Sequence, residues 1–357
     1  MGRHATVMVD RDVRAGDQTE TDRLAAAQGG DETAFAELTR PLQREIHVHC
    51  YRMLGSLDHA DDALQETLLR AWRGLDRFEP RAPFRAWLYR IATNVSLTLL
   101  ARRTSRNEIT PTTPEDDLDD TGKGGEPVYL DPYPDRLLDE LAPITPGPEA
   151  AIEQQESVEL AFVAAVQLLP PRQRATLLLR DVIGYSASEV AAMLATSVAG
   201  VNSALQRART TLDRERDAGL IARPHSCPAA ATERALVRRL VDAWHTADIS
   251  AMVSVLTEDA LLAMPPQPER YVGRKAIGAF FATVPGGGRL DRFRHVPIRA
   301  NRQPAIASYY RGGDTGPYQA HGIVVLSLEG NAIASITRFG NAEHFPRFGL
   351  PTTITDS

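Results

Sequence analysis

Apolar residues recur at helical spacing through most of the first hundred positions. Phe35, Leu38, Leu42, Ile46 and Cys50 mark one helix, and Ala63, Leu64, Thr67, Leu68, Ala71 and Trp72 a second. Trp87, Leu88, Ile91, Ala92, Val95 and Leu99 mark a third, so 19–104 reads as one helical domain behind a flexible N-terminal tail at 1–18. The pattern then breaks. Prolines, Gly122, Gly124, Gly125 and the acidic run from Glu115 to Asp120 predict an acidic Pro/Gly-rich linker over 105–152, with no core of its own. Helical spacing returns over 153–216, and Pro224 and Pro228 punctuate a second linker at 217–229.

Within 153–216, the stretch SASEVAAMLATSVAGVNSALQRAR from Ser186 to Arg209 predicts two short helices joined by a tight turn. Ser186 and Glu189 have capping-box spacing, starting a helix at Ala187 whose apolar face is Val190, Met193 and Leu194. Ser197 is the next N-cap, with Val198, Val201 and Leu205 as the buried stripe. Asn202, Ser203, Gln206 and Arg209 are left on the opposite side, where small polar and Arg side chains suit base edges and phosphates. A helix-turn-helix with DNA as partner fits these residues. An ordinary helical hairpin with a solvated polar face presents them equally well.

The third segment, 230–346, changes character partway. Leu236, Val237, Leu240, Val241 and Trp244 are helical, and Asp248 caps a helix through Met252, Val253 and Leu256. A short helix follows near Lys275 to Phe281, then strand-like runs at Ala305 to Tyr310, Gly322 to Leu328 and Ile333 to Phe339. Glu329, Gly330 and Asn331 supply a hairpin turn. Helices before an antiparallel sheet read as α+β, with a C-terminal tail at 347–357. The fold class is therefore multidomain, two all-α modules followed by an α+β domain.

Composition adjusts this picture little. The 357 residues, 43% hydrophobic and 24% charged, describe a globular chain of two or three domains. A net charge of -6 excludes a uniformly basic coat protein but leaves room for a local cationic patch. Two cysteines cannot make a disulfide framework and fit a reducing compartment. No apolar run nears the ~18 residues of a membrane helix, so a cytoplasmic protein with no membrane partner is expected. His47, His49 and Cys50 lie close together, but only His47 and Cys50 share a helix face, so no metal site is expected and no cofactor is called for.

Two charged clusters add chemistry. Asp58, Asp61, Asp62 and Glu66 gather at a helix start, where carboxylates suit the macrodipole and an Arg-rich partner. Arg70, Arg73, Arg77, Arg81, Arg85 and Arg90 interleave with Trp72, Phe78, Phe84, Trp87 and Tyr89, a mixture suited to unstacked single-stranded DNA. Trp72 and Trp87 sit at helical spacing, as core residues do.

Taken in order, these motifs resemble a bacterial sigma factor of the extracytoplasmic-function group. DHADDALQETLLRAWRGLDRF at Asp58 to Phe78 is similar to the part of sigma region two that grips the polymerase clamp. FRAWLYRIATNVSLTLLARR at Phe84 to Arg103 resembles the part that melts and reads the minus-ten element. LPPRQRATLLLRDVIGYSASEVAAMLATSVAGVNSALQRAR at Leu169 to Arg209 resembles region four, which binds the minus-thirty-five element. The resemblance implies a non-catalytic promoter-specificity subunit whose partners are core RNA polymerase, through its clamp and flap regions, and promoter DNA. It assigns Asp58, Asp61, Asp62, Gln65 and Glu66 to polymerase binding. Arg77, Arg81, Phe84, Arg85 and Asn94 are assigned to the minus-ten strand, and Ser197, Asn202, Ser203, Gln206, Arg207 and Arg209 to the minus-thirty-five duplex. Where many relatives carry cations, this recognition helix has Asn202 and Ala204, which lowers the salt-dependent part of its DNA affinity.

VRRLVDAWHTADISAMVSVLTEDALLAMPPQPERYVGRKAIGAFF, from Val237 to Phe281, resembles the opening of the SnoaL-like, polyketide-cyclase-related domain. MPPQP and the closing FPRFGLP agree with it. That resemblance implies a cone-shaped α+β barrel with an apolar pocket, which in some sigma factors replaces a separate anti-sigma protein and modulates activity. Trp244, Tyr271 and His321 are the candidate pocket residues for a small apolar ligand. An isomerase of this fold needs a carboxylate base and an oxyanion donor. Asp248, Asp259 and Arg338 join the candidates for that chemistry, but Asp248 is more simply an N-cap and Asp259 a turn residue. No acid–base pair emerges, and no catalytic residue is assigned. Two rival functions follow from the same residues: a cyclase or isomerase with a DNA-binding front end, and a one-component helix-turn-helix regulator. The block from Asp58 to Arg103, which a simple repressor does not need, weighs against the second.

Overall fold

The computed structural model describes residues 20–107, 130–139, 158–217, 230–265, 267 and 269–355. The N-terminal tail at 1–18, most of the 105–152 linker and the linker at 218–229 lie outside the described residues.

The first module packs α1 (20–28), α2 (Glu32–Leu54), α3 (Leu57–Gly74) and α4 (Phe84–Asn107). Asp31 caps α2 by accepting from the Thr33 and Ala34 amides, and Gly55 ends it in the left-handed conformation at φ 75. Ser56 caps α3, so the two helices reverse within two residues. Ile46, Cys50, Leu57, Ala60, Ala63, Leu88, Ala92 and Val95 meet in the interior.

In 105–152, a short piece departs from the linker expectation. Leu130, Tyr133 and Leu138 are buried, and Asp135–Leu138 forms a one-turn helix, α5. These ten residues are wedged between the first module and the C-terminal sheet. Composition alone marks them as loop, because Asp131, Pro132, Pro134 and Asp135 mask the three apolar anchors.

The second module contains α6 (Leu160–Gln167), α7 (Pro171–Leu177) with a π-turn over Leu178–Val182, α8 (Ala187–Met193) and α9 (Val198–Asp217). The capping box at Ser186 and Glu189 is present on both sides. Ser197 accepts from the Gly200 amide at the start of α9. Val201 and Leu205 are buried as expected, whereas Val198 stands exposed on the first turn. The turn between α8 and α9 passes through Ala195 at φ 51, a left-handed alanine.

The C-terminal domain runs α10 (Ala230–His245), α11 (Ile249–Ser254), β1 (Leu256–Ala263), β2 (Arg270–Val272), α12 (Arg274–Thr283), β3 (Phe293–Ala300), β4 (Gln303–Tyr310), β5 (Tyr318–Glu329), β6 (Ala332–Phe339) and β7 (Thr353–Ile354). The sheet order is β2-β1-β6-β5-β4-β3, with β7 added to β5, and only the β1–β6 pair is parallel. The barrel expectation becomes an open sheet, with β2 and β3 at unjoined edges. Three details differ from the sequence reading. Leu256 starts a strand instead of extending the Met252 helix, Asp259 is an exposed strand residue, and β3 is a full partner of β4. The 347–355 stretch is also not a free tail, since a 3-10 helix over Ala342–Phe348 leads into β7.

Among the described residues a small apolar cluster of Val166, Leu169, Leu177, Leu205 and Ala208 lies within the second module, and two larger cores organise the rest. One lies within the C-terminal domain, between its helices and the concave face of the sheet. The other is shared: residues of both helical modules, of 130–139 and of the sheet's far face, among them Tyr51, Tyr133, Val163, Tyr309 and Phe345, form a single buried cluster. Folding therefore joins all three modules through one apolar interior.

Candidate functional site

The acidic face of α3 is built by Ser56 capping and by the macrodipole, which favours carboxylates in the first turn. Asp58, Asp62 and Gln65 are exposed, and Asp61 and Glu66 are half-buried. Two of the five are already engaged from the C-terminal domain. Arg347, on the 3-10 helix after β6, ion-pairs with both Asp58 and Asp61, the latter at 2.5 Å. His47 on α2 holds the other oxygen of Asp61 at 2.9 Å and shares a 2.7 Å hydrogen bond with the Tyr133 hydroxyl. Partial burial alone would raise the Asp61 carboxyl. The hydrogen bonds from His47 and Arg347 outweigh it and hold the group at about 2.

Beneath this contact lies a second set of bonds. The Asp131 carboxylate accepts from the Leu57 amide at 3.0 Å, at the N-terminus of α3, and pairs with His344 of the C-terminal domain at 3.0 Å. Its carbonyl accepts from the Tyr51 hydroxyl at 2.7 Å. Asn301, fully buried in the β3–β4 hairpin turn, exchanges backbone and side-chain bonds with Tyr133. Its amide also donates to Val158 at 2.8 Å and to Tyr51 at 3.1 Å. Asn301 and Arg302 occupy the turn at φ 56 and 60, the conformation of a two-residue primed turn that Asn tolerates well. One hairpin thus grips α2, the 130–139 segment and the entry to the second module. Sequence reasoning missed Asp131, Tyr133, Asn301, His344 and Arg347. The available signals were Tyr133 in the acidic stretch and the FPRFGLP motif.

The two helical modules also touch directly. Arg174 is buried and donates to the Met53, Gln167 and Leu169 carbonyls and to the Gln167 side chain. Burial, with a smaller push from Arg103, lowers its guanidinium to about 9. The Gln167 amide donates to the Arg52 carbonyl at 2.8 Å.

The minus-ten candidates divide. Arg77, Arg81 and Asn94 are exposed, although Arg81 rests 2.7 Å from Glu79. Phe84 is 3% exposed and packs on Phe78 and Trp87, so it supports the α4 start and has no free ring face for a base. Arg85 pairs with Glu45 at 2.8 Å and lies over the Tyr89 ring, which fixes α4 to α2. In this structure both side chains are therefore engaged in packing α4. Ser197, the N-cap of α9, and Asn202, Ser203, Gln206 and Arg209 on the helix are exposed, and Arg207 is half-buried. Arg207 donates to Ser203 at 2.6 Å and Arg209 pairs with Asp181 at 2.8 Å.

A cavity of about 320 Å3 opens between the C-terminal helices and the sheet. Trp244, Phe280, Phe293, Val324 and Ile336 line it, together with Ser308, His321 and Arg338. Trp244 and His321 are where the sequence put them. Tyr271 is not among the lining residues and stacks on Phe280 at 4.8 Å. Asp248 caps α11 through the Ala251 amide, and neither Asp nor Glu lines the cavity. Burial, reinforced by the Arg338 charge, lowers His321 to about 4. His295 falls to about 3 by burial, with further pushes from His245, Arg294 and His321. Both rings are neutral near pH 7. The His47, His49 and Cys50 cluster has other partners: His49 bonds Thr93 at 2.9 Å, and burial pushes the Cys50 thiol up to about 12. Among the described residues no group of three ligating side chains gathers for a metal, and no helix is long and apolar enough to cross a membrane.

Two helical modules, one bearing a helix-turn-helix, with an α+β domain fused behind them define a sigma-type initiation subunit with a SnoaL-like extension. Family models agree: Sigma-70 region 2 matches 38–106, Sigma-70 region 4 matches 159–212 and the SnoaL-like domain matches 237–336. The ECF RNA polymerase sigma factor SigG of Mycobacterium tuberculosis is 39% identical over 329 residues, covering 90% of this chain and 85% of its own. The chain belongs to the ECF RNA polymerase sigma factor family. SigW of Bacillus subtilis, another ECF RNA polymerase sigma factor, is 27% identical over 54% of this chain and 94% of its own length. The crystal structure of the Mycobacterium tuberculosis extracytoplasmic function sigma factor SigJ has the same fold, with a TM-score of 0.56 at 21% identity over 89% of this chain and 99% of that one. As a sigma factor, the chain works with core RNA polymerase and promoter DNA in transcription initiation.

Proposed function

We propose that this sigma factor is held in a masked state by its own C-terminal domain. The observation that carries the reading is the pairing of Arg347 with Asp58 and Asp61. Those carboxylates belong to the face expected to meet the polymerase clamp, with the helix-turn-helix module meeting the flap and the minus-thirty-five duplex. A cation already seated on them competes with a cationic partner for the same charges.

A second argument comes from length. Promoter elements centred at minus ten and minus thirty-five lie about 25 base pairs apart, roughly 85 Å of B-DNA. The two helical modules are instead bonded together through Arg174 and Gln167, and sewn to the sheet by Asn301. Reading both elements requires these contacts to part. Core polymerase would supply the free energy for parting by binding the open form better than the closed one.

We assign no reaction to the C-terminal cavity. Isomerase chemistry on this fold needs a carboxylate base, and the titratable lining residues are one neutral histidine and one arginine. The cavity is instead a binding site through which the masked state is tuned.

The test is Arg347→Glu in the full-length chain, which sets an anion against Asp58 and Asp61. Affinity for core polymerase and promoter-dependent transcription should both rise. Unchanged or weaker polymerase binding by a variant that keeps its melting temperature would overturn the masking reading.

A further inference from the structure

The C-terminal cavity has an unbalanced inventory of charge and hydrogen bonds. Its walls are mostly aromatic and aliphatic, and Arg338 is the single side chain there that is charged at neutral pH. Arg338 has no carboxylate partner among the described residues. Its one described bond is a 3.3 Å contact from Nη2 to the His321 carbonyl. Burial lowers its guanidinium, as expected for a cation in an apolar wall without a counter-ion. The other polar side chains of the lining, Ser308 and Gln267, each carry both a donor and an acceptor. The Ser308 hydroxyl already shares a 3.1 Å bond with His295. Gly322 permits the arrangement, since a Cβ there would lie 2.5 Å from the Phe339 carbonyl and 3.4 Å from the Arg338 guanidinium.

We propose that this cavity binds an organic monoanion, a carboxylate on an apolar body of about one or two rings, with Arg338 as its counter-ion. A volume of about 320 Å3 is at the small end of ligand sites, which excludes long polycyclic chains. Guanidinium–carboxylate pairing in an apolar enclosure is strong and geometrically selective, so a neutral molecule of the same shape binds less well. The inference deepens the reading of the domain as a tuned mask. Arg338 lies on β6, and the same strand runs on into the 3-10 helix that carries His344 and Arg347.

The experiment is calorimetric titration of the full-length chain with two matched pairs, benzoate against benzyl alcohol and 2-naphthoate against 2-naphthalenemethanol. At least one carboxylate should bind about tenfold or more tightly than its alcohol. Arg338→Gln should erase that preference, leaving the alcohol affinity in place, and Arg338→Lys should keep part of it. Val324→Trp, which fills the cavity, should remove binding of acid and alcohol together. Equal affinities within both pairs, no carboxylate binding below about 1 mM, or a preference that survives Arg338→Gln each overturn the proposal. Where Arg338→Gln does not fold, as judged by its melt, the wild-type ratios and the Lys variant decide. Binding is read without polymerase, so failure here leaves the Arg347→Glu test standing, and the reverse also holds.

Discussion

The helices Leu57–Gly74 and Val198–Asp217 carry the two faces proposed to meet polymerase and duplex, and the fold treats them differently. The first has Asp58 and Asp61 occupied by a residue nearly three hundred positions away in the chain. The second presents Asn202, Ser203 and Gln206 to solvent, with only local partners for Arg207 and Arg209. The difference shows where an internal regulator acts most economically. A duplex-reading face with few cations has little autonomous affinity to suppress. On the masking proposal, the carboxylates expected to meet the polymerase are the earlier point of control, and they are the ones Arg347 pairs with.

The largest expected effect comes from the hairpin that supports the mask. Asn301→Ala removes three buried side-chain bonds, strands the Tyr133 amide and Val158 carbonyl, and puts alanine at φ 56. Urea unfolding should show a loss of about 3–5 kcal/mol, or an early transition as the C-terminal domain detaches. A loss under about 1 kcal/mol would mean the modules are not joined in solution as described. Arg347→Glu follows, with roughly a tenfold gain in polymerase affinity, read by competition against the wild-type chain.

Acid should act on both partners of the masked state. His49 in the first module sits at about 3, through burial and the neighbouring Arg52, and His295 in the C-terminal domain is equally low. Unfolded histidines bind a proton near pH 6.5 that these folded ones refuse until about pH 3. Stability is therefore full above about 6.5 and falls as pH drops below it, by about 1.4 kcal/mol per pH unit for each group. Urea titrations at pH 7 and 5 measure the slope, and His295→Gln should remove one group's share of it. A pH-independent midpoint would contradict the burial of both rings.

On the open face, Arg207→Ala should weaken minus-thirty-five duplex binding about five- to tenfold and reduce the salt slope by about one, with polymerase affinity unaltered. A parallel fall in polymerase affinity would erase the distinction between the two faces. The smallest effect belongs to the turn before that face. Ala195→Gly relieves a left-handed alanine at φ 51 and should stabilise the module by about 0.5 kcal/mol in thermal melts.

Elements stabilised by neighbours in sequence were legible. The Ser186–Glu189 box, the Asp248 cap and three of the first module's four helices follow from spacing, as do β4 to β6 from their apolar runs. What escaped depends on distant partners. In β3 the buried alternation of Phe293 and His295 is interrupted by Pro297 and flanked by arginines. The 130–139 segment reads as loop because half its residues are Pro or Asp, and its three apolar anchors acquire meaning only against α2 and the sheet. The packing of Phe84 and the pairing of Arg85 escaped for a related reason. Aromatic and cationic side chains serve single-stranded DNA and helix packing alike, and Glu45, forty positions away, decides between them. Of the cavity, Trp244 and His321 were found, whereas the isolation of Arg338 becomes visible only when the absence of a carboxylate in its walls is known.

The Asn301 hairpin has a consequence in time. It is 250 residues downstream of the Tyr51 hydroxyl it binds, and Arg347 is 289 residues downstream of Asp58. At a synthesis rate of about 5–20 residues per second, the acidic helix leaves the ribosome roughly 15–60 s before the arginine that will cover it exists. On the masking proposal, every newly made molecule passes through an uncovered interval on the ribosome, and a polymerase that meets it then meets no competitor.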